Sequence, residues 1–365
     1  MAKTDNKVKT PLFHIVKREP LPILPALGVR AAAVVAALIV SALVITLLSQ
    51  QNPLGVYKSM FEGSFGSTVR VWNLLQNLAM LLCVSLVVTP AFKMKFWNIG
   101  AEGQVLISGL ATIACMFFLG GKIPVPMLLL VMLGASILAG ILWAVLPAIS
   151  KALWNTNETL FTLMMNYIAI QLVAYFLKRY VKSGSGVLEP MPQYGLPVIG
   201  DMNYLLSILI VLALTVIVYI YLKHSKQGYE ISVVGESENT AKYVGINVKK
   251  VIIRTLLLSG AVCGIAGFLL VSGTDHSIAK ETVDSRGFTA IMVSWLAKFN
   301  PIYMILTSFL IVFLEKGATQ ISTTFDLNDS FAEILTGIII FFIIGSEFFV
   351  NYTIKFRQKD KEANK

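Results

Sequence analysis

The sequence predicts an all-α fold, a polytopic bundle of about ten transmembrane helices (eight to ten), and three observations predict it. First, 56% of the 365 residues are hydrophobic and only 14% are charged, with a mean hydropathy of +0.74. A soluble domain carries roughly 25% charged residues, so these charges are too few to cover a water-facing surface. Second, several apolar runs reach the ~20 residues that a helix needs to cross a bilayer. Third, most of the 30 Lys and Arg residues fall in loops that a ten-span scheme puts on one side, the bias expected of cytoplasmic loops.

The elements follow in order. Residues 1–30 carry Lys3, Lys7, Lys9, Lys17, Arg18 and Arg30 but no short apolar core before a small-residue cleavage site. They read as a cytoplasmic tail and not as a cleaved signal peptide. Spans are expected at 31–49, 71–89, 99–119, 125–149, 159–177, 204–222, 251–273, 287–297, 301–316 and 331–350. The eighth and ninth are short, and with Asn300-Pro301 they read as a broken or re-entrant pair, an arrangement confined to backbone buried in protein. The longest outside connection, 178–203, contains Gly184, Gly186, Pro190, Pro192, Gly195 and Pro197 and should be irregular. Its Lys178, Arg179 and Lys182 run against the charge bias. Residues 351–365 form a basic tail, so both termini are expected on the cytoplasmic side of the 31–350 membrane domain.

Small residues recur at helix-contact spacing. Gly260, Gly264 and Gly267 share one face, as do Ser136 with Gly140 and Ala135 with Ala139. Such positions let membrane helices approach closely.

Three polar constellations interrupt the apolar runs. Asn73, Gln76 and Asn77 lie at i, i+3 and i+4, so they share a face that either lines a cavity or bonds a neighbouring helix. Asn98, Glu102 and Gln104 stand with Gly100 and Gly103 at the start of the third span. Asn98 is placed to cap that helix, with Glu102 in its positive first turn. At the fifth span, Thr156 or Asn157 can cap, Glu158 suits the first turn, and Asn166 lies deeper on nearly the same face. The polar island 229–250, between two long apolar runs, carries its own helix signals. Ser237 is a good N-cap, Glu238 sits in the first turn and Gly245 suits the C′ position, which together predict a short helix between spans.

No phosphate-cradling Gly-x4-Gly-Lys-Ser/Thr loop is present, since Gly121-Lys122 runs into Ile123-Pro124. His14, His224 and His276 are isolated, and Cys83, Cys115 and Cys263 match no metal or disulfide spacing. Neither a catalytic constellation nor a metal site is expected. The net charge of +10 is accounted for by membrane orientation and not by nucleic acid.

Four stretches carry a family resemblance: Asn98-Ile99-Gly100-Ala101-Glu102-Gly103-Gln104; Asn157-Glu158-Thr159 with Leu163-Met164-Met165-Asn166-Tyr167; Val234-Gly235-Glu236 with Thr240-Ala241-Lys242-Tyr243-Val244-Gly245-Ile246; and Gly287-Phe288-Thr289-Ala290-Ile291 with Asn300-Pro301. On these the chain resembles permeases of the branched-chain amino-acid, ribose and nucleoside class of ABC importers, most of all the nucleoside permeases. It departs from the family at Val293-Ser294-Trp295-Leu296-Ala297, where Ala-Leu-Leu-Gly is common. The resemblance implies a subunit of a bacterial plasma-membrane importer that is not itself an enzyme and holds no cofactor. A separate ATPase would bind ATP-Mg, a lipoprotein would deliver the substrate, and a second, related permease would complete the pathway. The polar faces place the expected pathway at Asn73, Gln76, Asn77, Asn98, Glu102, Gln104 and Asn166, with Phe96 or Trp97 available to stack on a base. The resemblance assigns ATPase coupling to Gly235, Glu236, Asn239, Ala241, Tyr243 and Gly245, within the cytoplasmic segment 229–250. Rival readings are a sugar or flavin permease of the same class and a secondary carrier or channel.

Overall fold

The computed structural model describes residues 13–19, 22–181, 186–200, 202 and 204–356. The basic stretches expected at 1–12 and 357–365, together with Lys182, lie outside the described residues. In chain order the elements are β1 (Phe13–Lys17), α1 (Ile23–Ser49), α2 (Pro53–Phe65), α3 (Thr68–Lys93), α4 (Ala101–Leu119), α5 (Val125–Trp154) and α6 (Glu158–Tyr180). They continue with α7 (Leu205–His224), α8 (Lys226–Glu236), α9 (Glu238–Tyr243), α10 (Val248–Leu270), α11 (Arg286–Leu296), α12 (Pro301–Phe325), α13 (Asp329–Asn351) and β2 (Tyr352–Phe356).

Among the described residues, nine helices are long and apolar enough to cross a membrane: α1, α3, α4, α5, α6, α7, α10, α12 and α13. The expected eighth segment, read as too short for a simple span, is α11, 11 residues long. At ~1.5 Å per residue it covers about half of a ~30 Å hydrocarbon layer. The predicted ninth span does not stop at 316 but continues as 25 residues to Phe325. Helix α2 has no counterpart in the sequence reading. Apolar side chains such as Leu47, Leu130, Leu142, Ile217 and Phe341 are largely exposed while Asn98, Gln104 and Asn166 are buried, the reverse of a soluble surface.

The chain divides into two compact units. The first draws on the described parts of Met1–Ser64 and Leu314–Lys365. Here α1 packs on α13, and Arg30 Nε donates to Glu347 Oε1 at 2.8 Å. Helix α2 lies close to the later part of α12, where Ser59 Oγ donates to Thr324 Oγ1 at 3.0 Å. Strands β1 and β2 pair antiparallel from Phe13↔Phe356 to Lys17↔Tyr352, so part of each expected tail is a ribbon.

The second unit, Phe65–Phe313, is built around α3 and α10, its two most enclosed helices. They run antiparallel, since Gln76 meets Thr274 and Ser259 meets Val87. Helix α10 crosses α5 backbone to backbone. A side chain on Gly140 would collide with the Gly260 carbonyl and one on Gly264 with Ile137, while Ser136 Oγ donates to Gly264 O. The small-residue spacing in the sequence corresponds to this crossing. The described part of the long connection holds one 3-10 turn, Pro192–Tyr194, and otherwise little regular structure. It is tied to the segment after α10 by Met191 N–H to His276 O at 2.8 Å and by Leu196 N–H to Ser272 O at 2.8 Å. Burial there holds the His276 imidazole below its ordinary pKa.

Candidate functional site

Helix α3 ends just after Pro90, which offers no N–H. Lys95, in the left-handed region at φ 60°, reverses the chain, and α4 begins at Ala101. The first N–H groups of α4 lie inside the protein, where each needs an acceptor. Asn98 Oδ1 accepts from Gly100 N–H at 3.0 Å and Thr162 Oγ1 from Ile99 N–H at 3.1 Å. Asn166 Oδ1 accepts from Gly103 N–H at 2.9 Å, while its Nδ2 donates to Ile99 O at 2.9 Å. Asn98 Nδ2 donates to Gln104 Oε1 at 3.2 Å, and Cys263 Sγ donates to the same oxygen at 3.3 Å. The expected Asn98 cap is displaced by two residues, for Gly100 holds the N-cap position and Asn98 closes the turn before it.

Glu102 stands in the first turn of α4, as expected, but its carboxylate serves another helix. Oε1 accepts from Ser285 N–H at 3.0 Å and Oε2 from Gly287 N–H at 2.7 Å, at the start of α11. Gly287 allows this approach, because a side chain there would strike the Glu102 backbone.

Asn73, Gln76 and Asn77 share a face of α3 near its first turns. Asn73 is exposed, Asn77 half-buried and Gln76 buried. Gln76 Nε2 donates to Thr274 Oγ1 at 3.0 Å, and Asn77 Nδ2 donates to Gln76 Oε1 at 3.0 Å. Arg286 Nη2 donates to Asn77 Oδ1 at 3.1 Å. The result is a belt of amide, hydroxyl and guanidinium groups able to bond a polar, uncharged solute. The sequence reading missed Arg286 and Thr274. The available signal for Arg286 was its place just before the Gly287-Phe288 motif.

The expected short helix after Ser237 is α9, and the polar segment 229–250 also takes in most of α8 and the first residues of α10. Helix α8 ends at Glu236, the chain bends at Ser237, and α9 runs for six residues. Ser237 Oγ accepts from Thr240 N–H at 3.2 Å, and Gly245 takes φ 81°. Gly235 and Ala241 are buried; Glu236, Asn239, Tyr243 and Gly245 are exposed, Tyr243 at 93%. Gly235 is seated against the Lys93 carbonyl at the end of α3, with no room for a side chain. Glu230 and Arg254 pair at 2.9 Å and tie α8 to α10. Lys151 and Glu158 pair at 2.8 Å across the α5–α6 turn, where Asn157 Oδ1 caps Leu160 N–H at 3.1 Å. Among the described residues, no group of three His, Cys, Asp or Glu side chains could hold a metal ion.

A guanosine ABC transporter permease of Bacillus subtilis is 28% identical to this chain, over 88% of it and 93% of the relative. A glucose ABC transporter permease of Haloferax volcanii is 26% identical over 83% of each. A nucleoside ABC transporter permease of Lactococcus lactis is 25% identical over 82% of this chain and 85% of its own. The family model described as branched-chain amino acid transport system, permease component, matches residues 70–344. With nine long apolar helices among its described residues and a family match over residues 70–344, this multi-pass membrane chain belongs to that permease family.

Proposed function

We propose that the chain is the membrane-spanning subunit of an ATP-driven importer of nucleosides. The observation that carries the reading is that the chain covers nearly the full length of permeases named for guanosine and for nucleosides. The belt of Asn73, Gln76, Asn77 and Arg286 supports it, because a nucleoside offers many donors and acceptors and no fixed charge. Asn98, Glu102, Gln104 and Asn166 serve the pathway by holding the shape around it. A separate ATPase binding ATP-Mg presses on Glu236, Asn239, Tyr243 and Gly245 from the cytoplasm, and Gly235 and Ala241 give the docking helix its seat. Both termini are cytoplasmic. A second permease completes the pathway, and a lipoprotein supplies the solute outside.

The test is uptake of radiolabelled guanosine, uridine and glucose by cells with and without this gene. Loss of guanosine or uridine uptake with glucose uptake intact is expected. Loss of glucose uptake alone would replace this reading with a sugar permease, which the Haloferax relative favours.

A further inference from the structure

Helix α11 is bounded at both ends by consecutive non-glycine residues in the left-handed region. Asp284 (φ 54°) and Ser285 (φ 58°) precede it, and Lys298 (φ 50°) and Phe299 (φ 58°) follow it. Such residues are strained, and paired strain of this kind persists only where the surroundings hold it. The two ends are held by different forces. At the entry, the Glu102 carboxylate takes Ser285 N–H at 3.0 Å and Gly287 N–H at 2.7 Å. At the exit the backbone closes on α11 itself, Phe299 N–H to Ser294 O at 2.9 Å, and the contacts to α3 and the α3–α4 turn are aromatic. Trp295 lies 5.6 Å from Trp97 and 6.0 Å from Phe299, and Phe299 stacks on Phe92 at 6.5 Å. A carboxylate accepting two N–H groups fixes direction, whereas ring contacts tolerate sliding. Phe92 adjoins Lys93, the residue whose carbonyl seats Gly235 of α8. A push on α8 therefore reaches the sliding end of α11 first, while Glu102 holds the other end beside Arg286 and Asn77.

We propose that Glu102 is a positioning residue. It latches the entry of α11, and α11 turns on its two left-handed joints when α8 and α9 are driven, which opens and closes the polar belt at Asn77 and Arg286. The inference rests on the reading of α8–α9 as the ATPase-driven segment.

The experiment is hydrogen exchange of backbone amides in the assembled transporter in lipid nanodiscs, with and without ATP plus vanadate. In the wild type, nucleotide should change exchange both at 226–246 and at 284–299. In E102Q, one acceptor oxygen becomes an amide NH2 group, and the Ser285 and Gly287 amides should exchange about tenfold faster without nucleotide. A second variant covers the case in which E102Q does not assemble. Thr89 Oγ1 and Ser294 Oγ lie 3.3 Å apart, so T89C/S294C can bind α11 to α3. Oxidation should abolish the nucleotide response at 284–299 and stop uptake, and reductant should restore both. Exchange in E102Q within about twofold of wild type, or undiminished uptake by the oxidised pair, overturns the latch. A nucleotide response at 226–246 with none at 284–299 overturns it while leaving the coupling reading intact. No response at either place removes both.

Discussion

Two polar regions of this molecule use the same residue types and do opposite things with them. The break between α3 and α4 and the bend between α8 and α9 are both Asn-, Glu- and Gly-rich, and both sit at helix starts. At the first, Asn98, Gln104 and Asn166 are buried and bonded to other protein groups. At the second, Glu236, Asn239 and Tyr243 face outward, while Gly235 and Ala241 are buried. Within a membrane helix bundle, backbone groups at a break have no water to turn to, so side chains must supply their partners. At the bend, local bonds such as Thr240 N–H to Ser237 Oγ close the backbone, and the side chains of Glu236, Asn239 and Tyr243 are left exposed. The lesson is that burial, more than residue type, decides whether a polar motif braces or binds.

The contrast can be broken by substitution. The largest effect is expected from Asn166→Leu, which leaves Gly103 N–H and Ile99 O unpaired inside the protein. At about 1–3 kcal/mol for each buried group, the detergent-solubilised protein should lose most of its monodisperse fraction on size exclusion. An unchanged melting profile would show that the brace carries little. Next comes Gly235→Val, whose side chain would be driven into the Lys93 carbonyl. An overpacking cost of about 1–3 kcal/mol should prise α8 from α3, so that ATP hydrolysis continues while uptake fails. Coupled uptake at the wild-type rate would mean that the seat transmits nothing. The smallest effect on folding is expected from Tyr243→Ser, because that ring is 93% exposed. Stability should stay within about 0.5 kcal/mol of wild type, while co-purification of the ATPase falls. Retained ATPase binding would move the docking face elsewhere.

The sequence carried the membrane class, because a deficit of charge is a property of the whole chain and needs no geometry. Local signals were legible too. Ser237 caps α9, Gly245 turns left-handed, and Gly140, Gly260 and Gly264 mark a close crossing. Boundaries were harder to read. The ninth span reads as 301–316, yet the helix continues past Glu315-Lys316 to Phe325. Partners distant in sequence were not legible. Arg286 meets Asn77 across 209 positions, and the Glu102 carboxylate finds Gly287 across 185. A first-turn acid looks the same in sequence whether it stabilises its own helix or a neighbour's. Helix α2 escaped notice because its apolar content is modest and its packing partner lies more than 200 residues away.

The pairing of Phe13–Lys17 with Tyr352–Phe356 has a consequence for biogenesis. The ribosome makes β1 before α1 and β2 after α13, so the early strand waits, edge bare, while the spans between them are inserted. Such late, distant pairing is slow and leaves an aggregation-prone edge in the meantime. Closure of the ribbon then reports that α13 has been made, and a nascent chain stalled before that helix would carry an open edge.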